Sequence, residues 1–187
     1  MKSILMSIKP YYGFLIIAKA KGWDLSKYSL HEKTIEVRKG VPTSPDWDEK
    51  AALYFSKDKK SLARIPEEYR GEVEKLIGKV IGEFFCNEID RYVPIYFKGQ
   101  DFFQGYMDEE YQACISHSKL CKYAKGKTVY GLHISDLKIY DKPKSLSEFW
   151  TIKCNNRRLS CGECDYKPNC IKDIDRPPQS WCYVEKL

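Results

Sequence analysis

The chain predicts an α+β fold in which scattered strands close into a small β-barrel flanked by short helices. Three observations carry that reading. Five or six segments have strand character, the helical segments are short and begin near the front, and the regular β/α alternation of a parallel sheet is missing. Of the 187 residues, 43% are hydrophobic and 14% aromatic, enough apolar material to build a core. Length and composition fit one domain with a small appendage: residues 1–150 and 176–187 form the barrel domain, and 151–175 form an insert.

Ser3 to Ile8 is a short apolar run that reads as a buried strand. Pro10 then takes a first helical position, where its missing N–H costs nothing, and Tyr11 to Ala20 continue as a helix stopped by Lys21-Gly22. Lys33 to Arg38 alternates as a strand, with Thr34, Glu36 and Arg38 on one face and Lys33, Ile35 and Val37 on the other. Gly40 to Asp48 holds two prolines and reads as a loop. Ala51 to Ser56 is strand-like, Lys57 to Leu62 a charged loop, and Pro66 to Leu76 a short helix. Gly78 to Ile89, rich in Val, Ile and Phe, reads as one long central strand.

Tyr92 to Tyr106 carries many aromatics without a period and supports no assignment. Ser118 suits the cap of a helix ending at Gly126, and Thr128 to Tyr140 reads as another long strand. A helical turn at Leu146 to Trp150 and a last strand at Trp181 to Val184 complete the domain.

Lys plus Arg outnumber Asp plus Glu by 32 to 26, a net charge of +6 that permits a polyanionic partner without demanding one. No apolar run approaches the ~20 residues needed to span a bilayer. Lys2, the apolar stretch from Tyr11 and Ala18-Lys19-Ala20 imitate a secretory leader, but Lys9-Pro10 interrupts it and a strand leading into a helix fits better. The expected location is therefore cytoplasmic, where cysteines serve as metal or redox groups rather than disulfide staples.

Cys154, Cys161, Cys164 and Cys170 stand at C-x6-C-x2-C-x5-C in a segment too polar to form its own core. Four thiolates complete a tetrahedral zinc site, which would be closed and structural. An iron–sulfur cluster is the rival ligand, and unligated thiols or disulfides stay open. Cys86, Cys114 and Cys121 read as ordinary thiols, and Cys182 as a core residue or a spare ligand.

Lys33-x-x-Glu36-x-Arg38 is the second motif. In a flat strand Glu36 and Arg38 project from one face about 7 Å apart, close enough to share a ligand. Arginine offers a donor fork for phosphate or a base edge, and glutamate accepts from an exocyclic amine or water. A solvated ion pair on a strand would look the same in sequence. Lys9 is either the polar end of a strand or a cation beside a helix N-terminus, where anions are favoured. Gln179 and Ser180 can read a base edge, while Trp181 can stack on a base or pack in the barrel.

Six segments in order resemble the ASCH domain, a member of the PUA-like superfamily. They are S-I-K-P at Ser7 to Pro10, K-T-I-E-V-R at Lys33 to Arg38, V-I-G-E-F at Val80 to Phe84, Y-G-L-H-I-S-D-L-K-I-Y at Tyr130 to Tyr140, P-K-S-L-S-E-F at Pro143 to Phe149, and R-P-P-Q-S-W at Arg176 to Trp181. The family signature is G-x-K-x-x-E-x-R; Lys33, Glu36 and Arg38 match it, and His31 replaces the glycine. The resemblance implies a small barrel with a cleft beside the first helix, and binding of RNA or a nucleotide. Some members look like single-strand ribonucleases and others like amidohydrolases of modified cytidine. The latter use a threonine where Glu36 stands, which counts against that activity.

The resulting expectation is a basic cleft lined by Lys9, Lys33, Glu36, Arg38, Gln179 and Ser180 that binds RNA or a nucleotide. In the alternative of a hydrolase on the same cleft, Lys33 and Glu36 are the catalytic candidates, with Tyr28 or Ser180 assisting. A protein-interaction adaptor using the cysteine segment is the remaining alternative.

Overall fold

The computed structural model describes residues 2–44, 47–97, 100–106, 109–152 and 171–185. The architecture is α+β, built on two open sheets and two hairpin-like ladders. Strand β1 (Lys2–Ile8) leads into helix α1 (Pro10–Ile17), followed by β2 (Ile35–Arg38), β3 (Trp47–Phe55), α2 (Lys59–Leu62), α3 (Glu67–Glu74) and β4 (Val80–Phe85). Next come β5 (Ile89–Tyr92), β6 (Pro94–Phe97), β7 (Gln100–Phe103), α4 (Glu110–Ala113) and α5 (His117–Ala124). The chain ends with β8 (Val129–His133), β9 (Ser135–Lys144), β10 (Trp150–Ile152), β11 (Ile171–Asp173) and β12 (Trp181–Glu185).

One sheet has the order β12-β1-β3-β4-β9 and the other β2-β8-β5, with β6-β7 and β10-β11 as separate pairs. The expected closed barrel is not found among the described residues: each sheet keeps two unpaired edges. A parallel pair also exists where none was anticipated, because β1 and β3 run side by side in register from Ile4↔Ala51 to Ile8↔Phe55. The connection that reverses the chain between them contains α1, as a parallel crossover requires. Apart from Tyr12, α1 is buried throughout its length, which is why it reads as hydrophobic all round rather than as an amphipathic surface helix. Gly13 permits this approach: a Cβ there would overlap the ring of Phe55 on β3.

The two long strands anticipated from apolar runs are each broken in two. Gly78 to Ile89 holds β4, a turn, and only the first residue of β5, and the two strands belong to different sheets. Thr128 to Tyr140 divides into β8 and β9, with Asp136 in the left-handed region (φ 47°) beside the corner. Polar residues do mark the corners, Asn87-Glu88 after β4 and Ser135-Asp136 after β8, but the apolar residues on either side outweigh them in a run read for strand character. The aromatic segment after Tyr92 is the β6-β7 hairpin, paired from Pro94↔Phe103 to Phe97↔Gln100. Helix α5 begins one residue ahead of Ser118, and the carboxylate of Glu110 accepts from the His117 N–H there (3.0 Å). Near Leu146, Ser145 and Glu148 form a reciprocal capping box around the short turn, as the sequence of that segment favours.

The largest core cluster joins α1 to Ile4, Met6 and Ile8 of β1, Ala51, Leu53 and Phe55 of β3, and Ile81 and Phe84 of β4. A second cluster lies under the three-stranded sheet, where Ile35, Val37, Tyr92 and Val129 meet Leu120 and Ala124 of α5. Strands β10 and β11 pair from Trp150↔Asp173 to Ile152↔Ile171. Cys154, Cys161, Cys164 and Cys170 themselves lie outside the described residues. No helix among the described residues is long and apolar enough to cross a membrane.

Candidate functional site

The parallel strands β1 and β3 finish side by side, and beyond their carboxyl ends lies a cleft of about 540 Å³. Ser7, Lys9 and Tyr12 contribute from the β1–α1 junction, Ser56 from the end of β3, and Glu36, Val37 and Arg38 from β2. Ile115, Lys119 and Tyr123 close one wall from α5 and the residue pair before it, and residues Pro177 to Ser180 close the other. Ligands in open α/β arrangements collect at this end of parallel strands, and the volume suits a small organic molecule.

Strand β2 supplies the charged floor. All four of its residues are buried, so the alternation expected of a half-solvated strand gives no free face here. Arg38 Nη2 donates to the Ser7 carbonyl (2.6 Å) and sits 3.0 Å from Glu36 Oε1, while Nη1 reaches Ser180 Oγ at 3.4 Å. The guanidinium thus ties β2 to β1 and to the segment entering β12. Glu36 stands between two cations, with Lys33 Nζ 3.3 Å from its Oε2. That contact is electrostatic rather than a well-formed hydrogen bond, because Oε2 has no hydrogen-bond partner.

Lys33 precedes β2 and is therefore free of the strand's alternation. Its ammonium folds back and donates to the carbonyls of Ile35 (2.6 Å) and Ala113 (2.5 Å), with the Tyr12 ring centroid 5.3 Å away. Two carbonyls accept from two of its three N–H groups, and the Glu36 carboxylate adds an ion pair. Its side chain has no exposed surface, and burial holds the ammonium below its ordinary pKa against the opposing pull of Glu36. Lys33 does not line the cleft; it lies behind Glu36.

Three polar atoms in this region have no hydrogen-bond partner although they are buried: Ser7 Oγ, Glu36 Oε2 and Arg38 Nε. Each belongs to a residue of the cleft wall. Leaving such atoms unsatisfied costs roughly 1–3 kcal/mol apiece, more for charged groups. The three side chains come from β1 and β2 and gather at one cavity.

The other anticipated residues divide by position. Lys9, Gln179 and Ser180 line the cleft with Glu36 and Arg38. Lys9 is exposed and 3.5 Å from Asp58, while the first free N–H of α1, on Tyr11, is taken by Ser61 Oγ (3.0 Å). Trp181 packs against the core and donates to the Gly40 carbonyl (3.0 Å), which resolves its two possible roles in favour of packing. Tyr28 packs edge-on to Tyr69, and His31 stacks on Tyr111; neither lines the cleft. Sequence reasoning missed Ser7, Tyr12, Lys119 and Tyr123. Lys119 and Tyr123 are four apart on α5 and so share a helical face, the signal that would have found them.

A second cluster of ionisable groups lies elsewhere on the same sheet. Glu88, Asp90 and His133 bring their ligand atoms within 4.8 Å of one another. The imidazole is held between two carboxylates, Nε2 hydrogen-bonded to Asp90 and Nδ1 3.8 Å from Glu88.

No family model matches the chain, and no curated protein matches it. The fold is that of ASCH structures. The chain resembles the crystal structure of ASCH from Zymomonas mobilis at a TM-score of 0.54 and 16% identity, covering 99% of this chain and 89% of that one. Two mutants of the same protein give similar values. A tyrosine-to-phenylalanine form scores 0.52 at 15% identity, covering 100% of this chain and 92% of that one. A serine-to-alanine form scores 0.54 at 15% identity, covering 99% and 89%.

Proposed function

We propose that the cleft binds a nucleotide unit of RNA or a free nucleotide, with the base edge innermost and the phosphate at the rim. The observation that carries this reading is a trio of buried cleft atoms with no hydrogen-bond partner: Ser7 Oγ, Arg38 Nε, and Glu36 Oε2, which has only the Lys33 ion pair. A carboxylate oxygen beside a guanidinium N–H calls for a ligand that offers a donor next to an acceptor. Every nucleobase has such an edge; a phosphate offers only acceptors and would meet Glu36 unfavourably. Lys9 and Lys119 stand at the same cavity, and Tyr12 and Tyr123 present rings against which a base can stack. The likeness to ASCH structures agrees with this reading at the level of fold.

Within it, Lys33 is a positioning residue. Its ammonium fixes Glu36 from behind, and Glu36 in turn fixes Arg38. A hydrolase on the same cleft would have Glu36 as the carboxylate facing substrate, with Lys33 reaching the chemistry only through it. A zinc ion held by Cys154, Cys161, Cys164 and Cys170 would have a structural role, tethering the segment from which residues 174–180 run to the cleft wall.

Calorimetric titration with a nucleoside, its monophosphate and inorganic phosphate tests the reading. The nucleoside and the monophosphate should bind, and phosphate alone should not. Glu36→Gln should weaken the nucleoside at least tenfold while the protein stays folded. Binding of inorganic phosphate as tightly as the monophosphate would overturn the base-inward orientation. Product formation during the titration would move the reading to the hydrolase.

A further inference from the structure

Resting on the nucleotide reading of the cleft, we infer that the exposed face of helix α5 is the lane along which a single strand of nucleic acid leaves it. The helix spans eight residues, about 12 Å at 1.5 Å per residue. Lys119 and Tyr123 stand in the cleft wall, and Lys122 lies three residues from Lys119, on the neighbouring part of the same surface. From Ser116 to Lys127 the chain carries four lysines and no acidic residue. Among the described residues none of these lysines has a carboxylate within salt-bridge distance, whereas Lys9, Lys33 and Lys50 each do.

Lys39, which follows Arg38 at the end of β2, extends the lane. Its ammonium lies 4.9 Å from the centroid of the Tyr123 ring, and both residues are solvent-exposed. Arg38 of the cleft floor is followed by Lys39, which lies over the Tyr123 ring, and Lys119 and Lys122 add two cations from the same helix as that ring. That composition fits a polyanion with bases free to stack, which is a single strand rather than a duplex or an acidic protein surface. The two lysines near the end of α5 would also oppose its dipole, a role that needs no ligand. What favours a ligand is their continuity with the cleft wall and their lack of acidic partners.

Binding of a mononucleotide and of a single strand of about eight nucleotides, each followed across a salt series, separates the lane from the cleft. The wild type should bind the longer strand more tightly and with a steeper salt dependence. Lys122→Ala should reduce the slope of log Kd against log salt by about 0.7 for the strand, the value of one lost phosphate contact. It should leave the mononucleotide unchanged, and Lys122→Arg should restore the slope. If the strand and the mononucleotide bind alike, the lane is refuted while the cleft stands. An unchanged slope in Lys122→Ala refutes the lane equally. If neither ligand binds, the cleft reading fails and the lane with it. Equal affinity for a duplex of the same length would overturn the single-strand assignment.

Discussion

The three-stranded sheet carries two groups of charges that differ in nearly every respect except their number. Lys33, Glu36 and Arg38 gather on and just before β2, and their side chains are at most 10% exposed. Glu88, Asp90 and His133 gather on and around β5 and β8, with side chains 25–66% exposed. The first group is expensive to bury: desolvating each ion costs several kcal/mol before any pairing is counted, and two of its polar atoms still lack hydrogen-bond partners. The second keeps much of its hydration, so its pairing contributes little and is screened by salt. A sheet that tolerates a costly, incompletely satisfied network at one edge does so because the network faces a cavity. Geometry alone would rank the two clusters alike, and burial separates them.

The largest expected effect comes from breaking the buried group. Glu36→Ala leaves Lys33 and Arg38 as neighbouring uncompensated cations, and the stability lost should be about 3–5 kcal/mol by urea unfolding. A loss below ~1 kcal/mol would mean that the network is solvated after all and that the contrast between the clusters is false.

Lys33→Met sharpens the contrast through pH. Burial lowers the folded-state pKa of Lys33 from its ordinary 10.5. Between the lowered value and 10.5 the unfolded chain binds a proton that the folded chain does not. The stability contributed by this group therefore rises with pH across that window and is smallest below it. The variant loses this dependence, so wild type should gain on Lys33→Met as pH increases toward 10.5 in paired denaturation curves. A constant gap between the two would show an unperturbed ammonium.

The smallest effect belongs to the exposed group. Asp90→Asn should change stability by less than about 1 kcal/mol, and the change should shrink further in high salt. A salt-resistant loss comparable to that of Glu36→Ala would place both clusters in the same energetic class. Differential scanning fluorimetry at low and high salt is sufficient to decide.

Much of this molecule was legible in its residues. Ser3 to Ile8 forms β1, Pro10 opens α1, Trp181 to Val184 falls within β12, and the mixed α+β class holds. Lys9, Glu36, Arg38, Gln179 and Ser180, far apart along the chain, do line one cavity. Local patterning suffices for such elements because periodicity and proline placement act within a few residues. It fails at corners. Cys86 and Ile134 stand where the chain turns from one sheet into the other, and each is an apolar residue that lets the run read as continuous despite the polar residues that follow it. The closed barrel was an extrapolation from strand count, whereas closure depends on edges meeting.

By itself the sequence determined which side chains were available: a lysine, a glutamate and an arginine at fixed spacing, and a proline that starts a helix just after the first strand. Only the tertiary structure decided their states. It withdrew Lys33 behind Glu36, left Ser7 Oγ, Glu36 Oε2 and Arg38 Nε without hydrogen-bond partners at a cavity, and brought Lys119 and Tyr123 into its wall. The physical reason is that desolvation and partner geometry are properties of surroundings assembled from distant segments, and no local spacing encodes them.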